Sequence, residues 1–218
     1  MASTSTRSDL RAHFNTGDKP SQQNFYDLIE SNVNITDAST INGVVKLAGN
    51  TGLTPGSGFG DAALYKSWIS NEGTVTITNI LIDLTGIRST AGDDIIGDDG
   101  EANAHIGQYT TALCGTFFAA SINCLEVPAG GDPDINLASA DESTLAEDSA
   151  LSAGTNPITC INAGDHTLGS VVYGSTMPNS TGQYIYLVAG STTDADYTAG
   201  VLHIKFYGTT DTNNVRQA

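Results

Sequence analysis

The chain has 218 residues, enough for one domain or one domain with an arm. Its net charge is −16, and between Arg88 and Lys205 there is no Lys or Arg but fifteen Asp and Glu. Nucleic-acid binding is not expected there, because phosphate contacts require cations. No apolar run approaches the roughly 18–20 residues of a membrane span, so no membrane partner is expected either.

The opening MASTSTRSDLRAHF lacks an apolar h-region, so no secretory leader is expected. Leu10, His13 and Phe14 fall at helical spacing behind a Ser/Thr cap, and NTGDKP then stops the helix. In PSQQNFYDLIESNVN, Phe25, Leu28, Ile29 and Val33 share one helical face. Residues 1–33 are therefore predicted to form a helical hairpin. Two such short helices are marginal alone. Their apolar face needs a partner, which makes Leu10, Phe14, Phe25, Leu28 and Ile29 the candidate partner-binding residues. Residues 34–72 are weakly patterned and read as a linker or extended arm, with one short strand near Val44–Leu47. The run Gly56–Gly60 fits neither a dinucleotide fingerprint nor a P-loop.

Residues 73–210 alternate like strands. In TVTITNILIDLTG, Val75 and Ile77 share one parity, whereas Ile80, Ile82 and Leu84 take the other. That slip predicts a β-bulge at Thr78–Asn79. Seven further strands are predicted in AHIGQYTTA, GTFFAASINCLEV, DINLAS, PITCIN, TLGSVVYG, QYIYLVAG and AGVLHIKFYG. In the last, Leu202, Ile204 and Phe206 are expected inward, with His203, Lys205 and Tyr207 outward. Eight strands joined by Gly-, Pro- and Asp-rich turns, with no crossover helix, indicate a mainly β chain. The expected fold is an antiparallel, jelly-roll-like β-sandwich preceded by the hairpin and arm. Residues 211–218 read as a tail.

No pattern for catalysis or a cofactor stands out. None of His13, His105, His166 and His203 belongs to an H-E-x-x-H pair, and there is no G-x-S-x-G elbow. A glycosidase pair of carboxylates stays an open alternative, against which stands an aromatic content of 7%. Cys114, Cys124 and Cys160 are odd in number and lack C-x-x-C spacing, so they read as buried or half-buried free thiols; a Cys114–Cys124 disulfide is the alternative. The densest acidic run, AGDDIIGDDGE at 91–101, fails the EF-hand pattern because Ile95 and Ile96 stand where ligands belong. It reads as a short buried segment between two acidic turns whose carboxylates face water. An irregular Ca²⁺ site there, or at GGDPD (130–134), is the alternative.

Several motifs occur together and in order: I-x-DLTG at Ile82–Gly86, DIIG at Asp94–Gly97, C-LE-P-GG-PDI-L at Cys124–Leu137, YIYLV at Tyr184–Val188 and YTAG…I…YG at Tyr197–Gly208. This set, over about 135 residues, resembles virion structural proteins of tailed bacteriophages, especially those of marine hosts. LRAHFNTGDKPSQQNFYDLIES resembles a segment that begins various phage virion proteins. The resemblance implies a virion component and carries over no catalytic residues. The leading expectation is a capsid decoration (cement) protein on the capsid surface that binds the major capsid protein and copies of itself, as a homotrimer. The alternatives are a tail, neck or fibre-associated protein, or a carbohydrate-binding β-sandwich.

Overall fold

A computed structural model of the protein describes residues 52–209, together with Lys19, Ser21 and Gln22. The chain divides into two units, 1–47 and 48–218, and the fold described below belongs to the second. Apart from Lys19, Ser21 and Gln22, the predicted hairpin at 1–33, the arm up to residue 51 and the tail at 211–218 lie outside the described residues.

Eleven strands are present among the described residues. They are β1 (Leu64–Glu72), β2 (Val75–Asp83), β3 (Arg88–Ser89), β4 (Gly107–Gln108), β5 (Thr116–Ala129), β6 (Ile135–Ala140), β7 (Ile158–Ile161), β8 (Val171–Gly174), β9 (Tyr184–Ala189), β10 (Ala195–Asp196) and β11 (Ala199–Thr209). One sheet has the order β1-β2-β11-β5-β8 and a second has β4-β9-β6-β7, while β10 and β3 form a small ribbon. Every pairing is antiparallel. The fold is mainly β and sandwich-like, as the spacing of apolar runs and turn residues predicts.

The two larger sheets enclose one core. Ile80 and Ile82 on β2, Ile122 on β5, and Leu202, Ile204 and Phe206 on β11 pack in one cluster with Ile135 and Leu137 on β6 and Ile185 and Leu187 on β9. All are inaccessible to solvent. An aromatic stack closes one end: Phe117 lies 4.3 Å from the ring centre of Tyr109 and 4.6 Å from that of Phe206. On β11 the inward and outward assignments hold, with Leu202, Ile204 and Phe206 buried and the residues between them half-exposed.

Two readings of the sequence are corrected. The bulge expected at Thr78–Asn79 does not form, because β2 keeps unbroken register with both β1 and β11. The hydrophobic parity changes for another reason. Thr76 and Thr78 occupy core-facing positions, while Ile77 and Asn79 are buried on the opposite face. Residues 64–72, read with the linker, form β1 in full register with β2. Lys66, Ser67 and Ser70 dilute its apolar alternation enough to hide it from pattern reading.

The sheets are covered unequally. The outer side of the four-stranded sheet carries a second cluster, in which Ala138, Ala140, Tyr186 and Val188 meet Ile95, Ala104, Leu145 and Leu151 from long loops. The five-stranded sheet has no corresponding cover among the described residues.

Candidate functional site

Leu10, Phe14, Phe25, Leu28 and Ile29 lie outside the described residues, so the geometry of a site rests on the β unit. The acidic run 91–101 is part of the scaffold. Ala189 N–H donates to the Asp94 carbonyl at 2.9 Å, and Ile96 N–H donates to the Leu187 carbonyl at 2.9 Å. Residues 94–96 thus pair with the edge of β9, and further along that edge Ile106 N–H donates to the Ile185 carbonyl at 2.7 Å. Residues 97–105 loop out between these two pieces. Ile95 and Ile96 are fully buried, in keeping with a short buried segment between acidic turns.

The flanking acids do not all face water. Asp93, Asp99 and Glu101 are exposed, Asp94 is half-buried and Asp98 is buried. Asp98 accepts from Gly60 N–H at 2.7 Å and from Asp61 N–H at 3.0 Å, so its charge is met by two amides of a neighbouring turn. Arg88 reaches Asp194 at 2.5 Å, Asp196 at 2.9 Å and Asp99 at 3.9 Å. These carboxylates hold its guanidinium pKa above the ordinary value.

GGDPD is likewise a connector. The buried Asp132 carboxylate accepts from Ser191 N–H at 2.7 Å, Ser191 Oγ at 2.8 Å and Asp134 N–H at 3.0 Å. Tyr197 O–H donates to the Asp132 carbonyl at 2.8 Å. A Cβ at Gly131 would lie 2.7 Å from the Tyr197 ring, so this close approach requires glycine. Among the described residues no group of three or more His, Cys, Asp or Glu is arranged to hold a metal ion. The three cysteines are free and buried, and burial pushes the Cys160 thiol up to about 12. His166 is buried with Nε2 2.9 Å from the Ile135 carbonyl.

The surface feature that stands apart is the outer face of the five-stranded sheet. The exposed large hydrophobic residues among those described are Leu64 and Trp68 on β1, Phe118, Leu125 and Val127 on β5, Val171 and Tyr173 on β8, and Leu168 in the turn before β8. All belong to this sheet or its margin. Tyr173 is 71% exposed and Leu168 72%, values at which an apolar side chain gains little from its own fold. A register shift between β5 and β11 leaves Phe118 unpaired and turns it outward, 6.4 Å from the Tyr207 ring centre.

The centre of the face is ordered by polar contacts. The Asn79 amide nitrogen donates to Ser70 Oγ and to the Ile77 carbonyl, so its oxygen accepts from His203 Nε2 at 3.1 Å. His203 in turn stacks on Trp68 with ring centres 5.5 Å apart. Desolvation, then Lys205, lowers the His203 pKa, which favours the neutral ring. Lys66 and Lys205 face outward here, and among the described residues neither has a carboxylate at ion-pair distance. The arrangement can bind a largely apolar protein surface; it holds no nucleophile–base pair. Sequence pattern gave Lys205 and Tyr207 as outward, but it missed the face itself, since exposure of one sheet side depends on what packs above it.

A second feature is a groove of about 600 Å³ bordered by Leu53, Pro55, Asn103, His105, Gln108 and Tyr184. The His105 and Tyr184 ring centres lie 4.7 Å apart, and burial lowers the His105 pKa. No protein family, curated protein or solved structure matches this chain.

Proposed function

We propose that this chain is a structural component of a bacteriophage virion, a decoration protein that stands on the capsid surface and stabilises the head. The observation that carries the reading is the one-sidedness of the β unit. A sandwich with an otherwise strongly acidic surface presents one broad apolar face, as an assembly module needs and an isolated soluble body does not. The motif resemblance over about 135 residues points the same way. We also read the sandwich as jelly-roll-like. The support is the order β2-β11-β5-β8 opposite β4-β9-β6-β7, the two four-strand layers produced when a long antiparallel ribbon wraps on itself. Residues 1–33, through Leu10, Phe14, Phe25, Leu28 and Ile29, would hold the major capsid protein. Deleting them is expected to abolish virion binding while leaving a folded β unit; decoration by the truncated chain would sink this part of the reading. Copy number per virion, by quantitative mass spectrometry, separates head from tail or neck: many copies indicate decoration, a few indicate a vertex or tail position.

The His105–Tyr184 groove favours a second reading, carbohydrate binding by the sandwich, since an aromatic ring beside amide and hydroxyl groups suits a sugar. Binding on a glycan array that Tyr184→Ala removes would support it.

A further inference from the structure

We propose that the outer face of the five-stranded sheet is a self-association surface, and that its occupant is the same face of a second copy. The inference rests on the assembly reading above and names the partner of one surface.

Apolar matching argues for the second copy. Every exposed large hydrophobic side chain among the described residues belongs to this sheet or its margin. No other surface of the described unit offers an apolar counterpart, so a contact between two β units that buries Trp68, Phe118 and Tyr173 on one uses the same residues on the other. Such a contact is isologous and closes at two copies.

Area agrees. Five strands at about 4.8 Å spacing and about nine residues at about 3.3 Å each span roughly 20 by 30 Å. That is roughly 600 Å², close to the roughly 800 Å² per partner of a standard interface. Two such sheets pack face to face with side chains interdigitated, as within a sandwich.

Charge agrees as well. Residues 52–209 hold eighteen Asp and Glu and three cations, so two copies repel over most of their surfaces. Arg88 is committed to Asp194 and Asp196. The other two cations, Lys66 and Lys205, both lie on this face, where they offset most of the charge of Glu72, Asp83 and Glu126 and leave it close to neutral. It is therefore the face across which two copies approach at least electrostatic cost.

The test is sedimentation equilibrium of the full chain from 1 to 100 µM, with the emission of Trp68, the single tryptophan, read on dilution. A reversible dimer is expected, with blue-shifted Trp68 emission in the associated state. Association should hold or strengthen from 50 to 500 mM NaCl, because screening relieves net repulsion. Tyr173→Glu should weaken the dimer about a thousand-fold, since an aromatic anchor is worth about thirty-fold and an isologous contact carries the substitution twice. An unchanged melting temperature would show that the variant folds. A monomer at 100 µM, a trimer, Trp68 emission insensitive to association, or a dimer indifferent to Tyr173→Glu would each overturn the proposal. Incorporation of the same variant into virions reads the virion role separately: a chain that decorates normally but never self-associates keeps that role and loses this interface.

Discussion

Ile95 and Ile96 are neighbours in the chain yet are buried on opposite sides of the four-stranded sheet. Ile96 enters the core between the sheets, and Ile95 packs outside with Tyr186 and Val188. The acidic run is therefore the pin that fastens a covering loop to the edge of β9. Ile96→Ala should cost about 2–5 kcal/mol, the range for removing a buried aliphatic side chain. Ile95→Ala should mainly free the loop, so limited proteolysis should cut within 97–105 before the rest of the unit melts. Equal protease resistance in the two variants would count against the division of labour.

Asp98 gives the acidic run a second structural task. Asp98→Ala removes the two charge-assisted hydrogen bonds that the Gly60 and Asp61 amides donate to the buried carboxylate, and hydrogen bonds to a charged group are worth about 1.5–3 kcal/mol. Because Asp98 is occupied in this way, millimolar Ca²⁺ should leave the melting temperature of the wild type unchanged. A calcium-dependent rise that Asp98→Ala abolishes would instead place an ion there.

Thr76 is buried on the core side of β2, and its hydroxyl has no hydrogen-bond partner. Thr76→Val replaces that hydroxyl with a methyl of similar shape. The variant should be more stable by about 1 kcal/mol, a rise of roughly 2–4 °C in melting temperature for a domain of this size. A fall would mean that the hydroxyl finds a partner in solution.

Glu147 is almost fully buried, and its Oε1 has no partner while Oε2 accepts from Gly100 N–H at 3.0 Å. Desolvation, followed by the Asp148 and Asp99 charges, raises its pKa above the ordinary value of 4.5. Below 4.5 the carboxyl is neutral in both folded and unfolded chains and costs nothing. As pH rises from there through the folded pKa, the unfolded chain ionises first and stability is lost. Glu147→Gln should therefore gain stability over the wild type as pH rises above 4.5, and the difference should vanish below it. His105 and His203, with lowered pKa values, act in the opposite sense as pH falls below about 6.5. The comparison must be wild type against variant at each pH, by chemical denaturation.

Arg88 gathers Asp99 from one loop, and Asp194 and Asp196 from β10 and the residue before it. Arg88→Met should lower the melting temperature in low salt, because three carboxylates lose their shared cation. The loss should shrink in 0.5 M NaCl, where exposed charges are screened. An effect independent of salt would point to packing of the side-chain stem instead.

Each of β2, β4–β9 and β11 lies in or overlaps a run read from alternation and turn residues, because period-two hydrophobicity is a local property. Ile95 and Ile96 were legible as buried for the same reason. β1 was not, since polar residues at an edge blur its period. Nor was the true geometry of β2, where Thr76 and Thr78 face the core and Asn79 is buried opposite. The candidate site divides in the same way. Alternation along β11 determined that Lys205 and Tyr207 point outward, and composition determined that cations would be few. Only tertiary structure decided that loops cover the four-stranded sheet and that no other described residues cover the five-stranded sheet. Whether Trp68, Phe118 and Tyr173 are core or surface depends on segments distant in sequence, and no local pattern encodes the absence of a cover.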